Sequence, residues 1–78
     1  MNENEFVSNF SAQFDEADPA SINMETNFRD IEGWSSFAAL SIIAMIDESY
    51  NRRITGNDIK NAKTVRDIYN FVANEKGK

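Results

Sequence analysis

Apolar positions along this chain recur at helical rather than alternating spacing. Phe6, Val7, Phe10 and Phe14 come first, at intervals that place them on one face of a helix. Asn2 with Glu5 three residues later has the spacing of a capping box, so a first helix is predicted from the start of the chain to near Asp15. Asp18 precedes Pro19 and is pushed away from helical angles, which closes that helix off. Residues 16–33 form a long connection with scattered apolar anchors at Ile22, Met24, Phe28 and Ile31. A loop of that length is unusual in so short a chain if unattached, so the anchors predict a segment pinned across the helices, with room for a short helical turn.

The stretch Gly33-Trp34-Ser35-Ser36-Phe37-Ala38-Ala39-Leu40 opens the most apolar segment, predicted as a helix from about Ser36 to Tyr50. Successive side chains turn by roughly 100°. On that wheel Ala39, Ile42, Ile43, Ile46 and Tyr50 fall together and are expected to face the core. Phe37, Leu40 and Ala44 fall on the other side, interleaved with Ser41, Asp47 and Glu48. An ordinary surface helix has one apolar stripe. Two stripes mean either a helix buried all round or an exposed strip that partners cover. Asn51-Arg52-Arg53 breaks the pattern, and Ile54 is a candidate core anchor. Thr55 with Asp58, and Thr64 with Asp67, repeat the capping-box spacing. They start a short helix bearing Ile59 and Ala62, and a last helix bearing Val65, Ile68, Tyr69 and Val72 with Phe71 beside them. Asn74 to Lys78 reads as a frayed polar tail. The expected fold is all-α: a small four-helix bundle with a long loop between helices 1 and 2 and a short third helix. No internal repeat and no strand pattern interrupts it.

Composition narrows the chemistry. Seventy-eight residues are expected to make one domain over 1–78, with a core small enough to be marginal. The net charge of −5 lacks the basic face that phosphate backbones need, so nucleic acid is an unexpected partner and basic protein surfaces are favoured. With no cysteine and no histidine, the usual thiol nucleophile, neutral-pH base and soft metal ligands are missing. No catalytic residue and no metal site is expected, and so short a chain has little room for a water-excluding pocket. Met1-Asn2-Glu3-Asn4-Glu5 lacks a secretory start, and the longest apolar run is far below the ~20 residues of a membrane span. The expected location is the cytoplasm, and the expected state a monomer.

Two adjacent serines at a helix start allow one to cap while the other stays free. Unpaired amides and the helix dipole favour a phosphate there, so a phosphate ester on Ser36 would be well placed. A Ser-Ser pair alone is weakly specific. Its position before a two-faced helix in a small acidic chain carries more weight.

From Phe28 to Val72 the sequence resembles the acyl carrier proteins. Ser35-Ser36-Phe37 matches their Asp-Ser-Leu motif at the start of the second helix. Leu40, Ile42, Ile43 and Ile46 occupy the family's apolar positions without a gap. Tyr50 stands where an aromatic ends that helix, Ile54 where an aliphatic follows, and Lys63-Thr64-Val65 where the last helix starts. Phe28 to Trp34 is similar to the approach loop of many carriers.

The resemblance implies that Ser36 carries a 4′-phosphopantetheine arm taken from coenzyme A and installed by a separate transferase with magnesium. Ser35 is the alternative attachment site, second to Ser36. The arm's thiol would carry acyl groups as thioesters between acyl-loading and acyl-elongating enzymes, for fatty-acid or polyketide-like biosynthesis, with no catalysis by the chain itself. The partner face would be Phe37, Leu40, Ser41, Ala44, Asp47 and Glu48. For a fatty-acyl cargo, Ile42, Ile43, Ile46 and Ile59 could line a cleft, although the same residues suit an ordinary core. Two departures stand out: Ser35 replaces the family's aspartate, and Ala38 and Ser41 stand where acids are common. They move the expectation slightly toward a dedicated pathway. The competing reading is a degenerate carrier or helical interaction module that never receives an arm.

Overall fold

The computed structural model describes residues 2–15 and 17–74, so the polar tail expected over Asn74 to Lys78 lies, past Asn74, outside the described residues. Four helices, α1 (Glu3–Ser11), α2 (Ser36–Tyr50), α3 (Gly56–Asn61) and α4 (Val65–Asn74), pack as an all-α bundle of acyl-carrier type. α1 starts where expected, with Asn2 Oδ1 accepting from the Glu5 N–H at 3.0 Å. It ends at Ser11 rather than near Asp15. There the Ser11 hydroxyl turns back to the Ser8 carbonyl, and the chain tightens into short-range bonds from Gln13 N–H to Phe10 and from Phe14 N–H to Ser11. The tightening still delivers Phe14 to the core, buried like Phe6 and Phe10.

The long connection is pinned, as its anchors predicted. Ile22, Met24, Phe28 and Ile31 are all buried. Two 3₁₀ turns, Pro19–Ser21 and Phe28–Asp30, shorten it, started by the side chains of Asp18 and Asn27. It also pairs with the start of α4. Phe28 N–H donates to the Lys63 carbonyl, Val65 N–H to Thr26 and Arg66 N–H to Met24. Arg66 adds ion pairs to Glu25 at 2.9 Å and to Glu3 at 3.4 Å, tying three segments together at the surface.

α2 has the expected bounds, but its buried arc is rotated. Ala38, Ile42, Met45 and Ile46 are buried, whereas Ala39, Ile43 and Tyr50 are only partly covered. α2 packs against both α1 and α3, so its buried arc is set by two neighbours and not by its own periodicity alone. α2 ends at Asn51, which adopts the left-handed conformation (φ 56°) and donates its N–H to the Asp47 carbonyl.

Both later boxes form. Thr55 and Asp58 cap α3 reciprocally at 2.9 and 3.3 Å. At the start of α4 the Asp67 carboxylate accepts from the N–H groups of Lys63 at 2.9 Å and Thr64 at 3.1 Å, and Thr64 Oγ1 accepts from the Asp67 N–H. Those backbone donors hold the Asp67 carboxyl below its ordinary range. A depressed carboxyl pKa contributes stability above the unfolded value of ~3.9, and that contribution fades as pH falls through the lower folded value. Asp67→Asn is therefore expected to be less stable than the wild type at neutral pH, with the gap closing below that range. Urea titrations of both proteins at neutral and acid pH check this.

Candidate functional site

The chain reaches α2 through a tightly built approach. Ile31 N–H bonds the Phe28 carbonyl at 3.2 Å and Trp34 N–H bonds Ile31 at 3.0 Å. Between them Gly33 sits at φ 94°, a backbone region that side chains avoid. The turn lays the Trp34 ring against Phe28, centroids 5.0 Å apart, and beside Phe14 at 6.1 Å. The aromatic cluster thus fixes the two serines that follow.

Those serines divide their roles. Ser35 is extended, and its Oγ accepts the Ala38 N–H at 3.2 Å, capping α2. Ser36 is the first helical residue and is exposed. Among the described residues nothing hydrogen-bonds its hydroxyl. The Ser36 oxygen is therefore open to a phosphate ester, with the N–H groups of the first turn beside it. A hollow of about 160 Å³ lies against this corner, lined by Gln13, Phe14, Asp15, Gly33, Ser35, Phe37 and Ala38.

Beyond Ser36 the second stripe faces outward. Phe37 is 77% exposed and Leu40 64%, which excludes a helix buried all round. Ala44, Asp47 and Glu48 are exposed on the same side, and Ser41 is half-buried. α2 carries no basic side chain, and its acids fall only at Asp47 and Glu48. Ala38, aligned with a family position where acids are common, is instead 3% exposed and part of the core. Ile42, Ile46 and Ile59 are core residues too, and Ile43 packs at the core's edge.

Sequence reasoning passed over Arg29. Its guanidinium donates to the carbonyls of Ala62 at 2.7 Å, Ile59 at 2.9 Å and Lys60 at 3.0 Å, all at the end of α3. Its charge also stacks 4.9 Å from the Phe28 ring centre. No signal in the sequence marks a contact with main-chain carbonyls so far away. Among the described residues no three His, Cys, Asp or Glu side chains gather as metal ligands would, and no helix is long and apolar enough to cross a membrane.

Compared with known proteins, the chain matches the family described as the phosphopantetheine attachment site over residues 6–72. No curated protein matches it significantly. The match runs from α1 into the last turns of α4 and so takes in the capped, serine-bearing start of α2. With an open hydroxyl at that helix start and a match over most of its length, the chain belongs to the phosphopantetheine-attachment family of carrier domains, and its cofactor is covalent 4′-phosphopantetheine.

Proposed function

We propose that Ser36 is the attachment residue and that the chain carries acyl groups between biosynthetic enzymes, in fatty-acid or polyketide-like synthesis. The observation that supports this most is the division of labour at the start of α2. Ser35 takes the capping duty, so the Ser36 hydroxyl needs no internal partner. When bound, the arm supplies the thiol that a cysteine-free chain lacks, and acyl groups ride on it as thioesters. The chain's own part is to present the Ser36 oxygen and to surround it with first-turn amides that favour a phosphodiester. It performs no bond-making on the cargo.

A phosphopantetheinyl transferase would attach the arm from coenzyme A, and acyl-loading and acyl-elongating enzymes would then use it. They would dock on Phe37, Leu40, Ser41, Ala44, Asp47 and Glu48. With no acid in the first turns of α2, that docking rests mainly on the two exposed apolar side chains. We place the carrier in the cytoplasm, acting as a monomer and as one domain. Intact mass after incubation with coenzyme A, magnesium and a broad-range transferase tests the proposal. One added phosphopantetheinyl group supports it. No gain with several transferases favours the armless interaction module. Phe37→Ala is expected to raise the transferase KM about tenfold, as loss of an interface anchor does. Its melting temperature should not change, because the ring contributes little to the core.

A further inference from the structure

We propose that Asp15, just past the end of α1, is the charge by which the arming transferase locates Ser36, accepting a basic side chain of that enzyme in the hollow beside it; this rests on Ser36 being the attachment residue. The start of α2 offers a partner no charge of its own. Its first turn holds no acid, and the whole helix no basic side chain. The charge at this corner comes from another element. Asp15 lines the hollow of about 160 Å³ together with Gly33, Ser35, Phe37 and Ala38. Ser36 stands in the chain between two of those residues, so its Cα is about 3.8 Å from that of Ser35 and that of Phe37.

The residue before Asp15 holds it there. Phe14 is buried, and its ring stacks on Trp34 with centroids 6.1 Å apart, joining the end of α1 to the approach that leads into α2. Its N–H also bonds the Ser11 carbonyl at 3.0 Å. Asp15 itself is exposed, and its carboxylate has no ion pair or hydrogen bond among the described residues. With no internal duty, its oxygens are available to an incoming cation. Asp30 and Glu32, the acids of the approach, line a different hollow with Ile22 and Ile31. Among the described residues lining the hollow at the serine, Asp15 is the charged one.

Size and walls specify the occupant. The hollow is smaller than the ~300–1,000 Å³ of a small-molecule site, so it fits a side chain rather than a ligand. Phe14, Phe37 and Ala38 give it apolar walls, and Asp15 gives it a negative one. A lysine or arginine matches both, with its aliphatic stem along the walls and its charge at the carboxylate. The transferase is the partner that must bring its own reacting atoms to the Ser36 oxygen. Enzymes that use the loaded arm work at its far, thiol end. A charge beside Ser36 therefore serves arming, and Asp15 forms and breaks no bond in the transfer.

Initial rates of arm transfer from coenzyme A, with magnesium and a broad-range transferase, test this when read by intact mass over a range of chain concentrations. Asp15→Asn should raise KM for the chain about fivefold with kcat within about twofold, and Asp15→Glu should restore most of the loss. Added salt should weaken the wild type more than Asp15→Asn, so that the two converge at high ionic strength. Glu5→Gln removes the same charge from an exposed site in the first turn of α1 and should leave KM unchanged. An unmoved KM in Asp15→Asn overturns the proposal, and so does an equal rise in Glu5→Gln, which marks net charge alone. A lower melting temperature of Asp15→Asn with a matching fall in kcat marks a structural residue and overturns it too. A wild-type chain that takes no arm defeats the Ser36 reading and this one together. An armed wild type with an indifferent Asp15→Asn defeats this one alone.

Discussion

Ser36→Ala is expected to gain no mass on incubation with coenzyme A, magnesium and transferase, while Ser35→Ala still gains one phosphopantetheinyl group. The loss in the first variant should be complete, because no second hydroxyl occupies the same position. Ser35 already points its oxygen at the Ala38 N–H, 3.2 Å away, and is half outside the helix. Removing that cap should lower stability by about 1 kcal/mol without touching the acceptor. The pair of variants thus separates two effects that either serine alone would confuse. Ser36→Ala should keep its stability and lose the modification; Ser35→Ala should do the reverse. If instead Ser35→Ala blocks the arm and Ser36→Ala accepts it, the attachment site is Ser35.

The largest stability effect is expected at Phe28. Its ring is fully buried and meets Phe10 at 6.3 Å, Trp34 at 5.0 Å and the Arg29 guanidinium at 4.9 Å. Phe→Ala in a core costs about 3–5 kcal/mol. A chain of 78 residues has a total stability of about 4–12 kcal/mol. Phe28→Ala should therefore remove at least about a quarter of that stability, seen as a lower urea midpoint of the helical circular dichroism. By contrast Leu40→Ala, a residue 64% exposed, should leave the spectrum intact. A Phe28→Ala protein as stable as the wild type would mean that the long connection is not needed to hold the bundle.

What could be read without coordinates was mostly local. The helix from Ser36 to Tyr50 was legible at both ends, because a hydroxyl marks its start and the Asn51-Arg52-Arg53 run breaks its apolar pattern. The Thr55–Asp58 and Thr64–Asp67 boxes were legible for the same reason: donor and acceptor sit three residues apart. The rotation of α2's buried arc was not, since a wheel ranks positions within one helix and knows nothing of which neighbours pack on each flank. That is why Ala38 and Met45 turned inward while Ala39 and Ile43 stayed at the edge. Arg29 was illegible for a deeper reason. Its partners are carbonyls 30 to 33 residues away, and every residue has a carbonyl. At the site, the pairing of a capping serine with a free one was visible as a spacing, but which hydroxyl stays free needed the bond to Ala38.

Trp34 is the chain's single tryptophan, lodged against Phe14 and Phe28 two residues ahead of Ser36. Its indole emission is therefore an unlabelled optical gauge of that corner. A red shift at constant helical ellipticity would signal that the approach has peeled away from the aromatic cluster while the bundle stays folded.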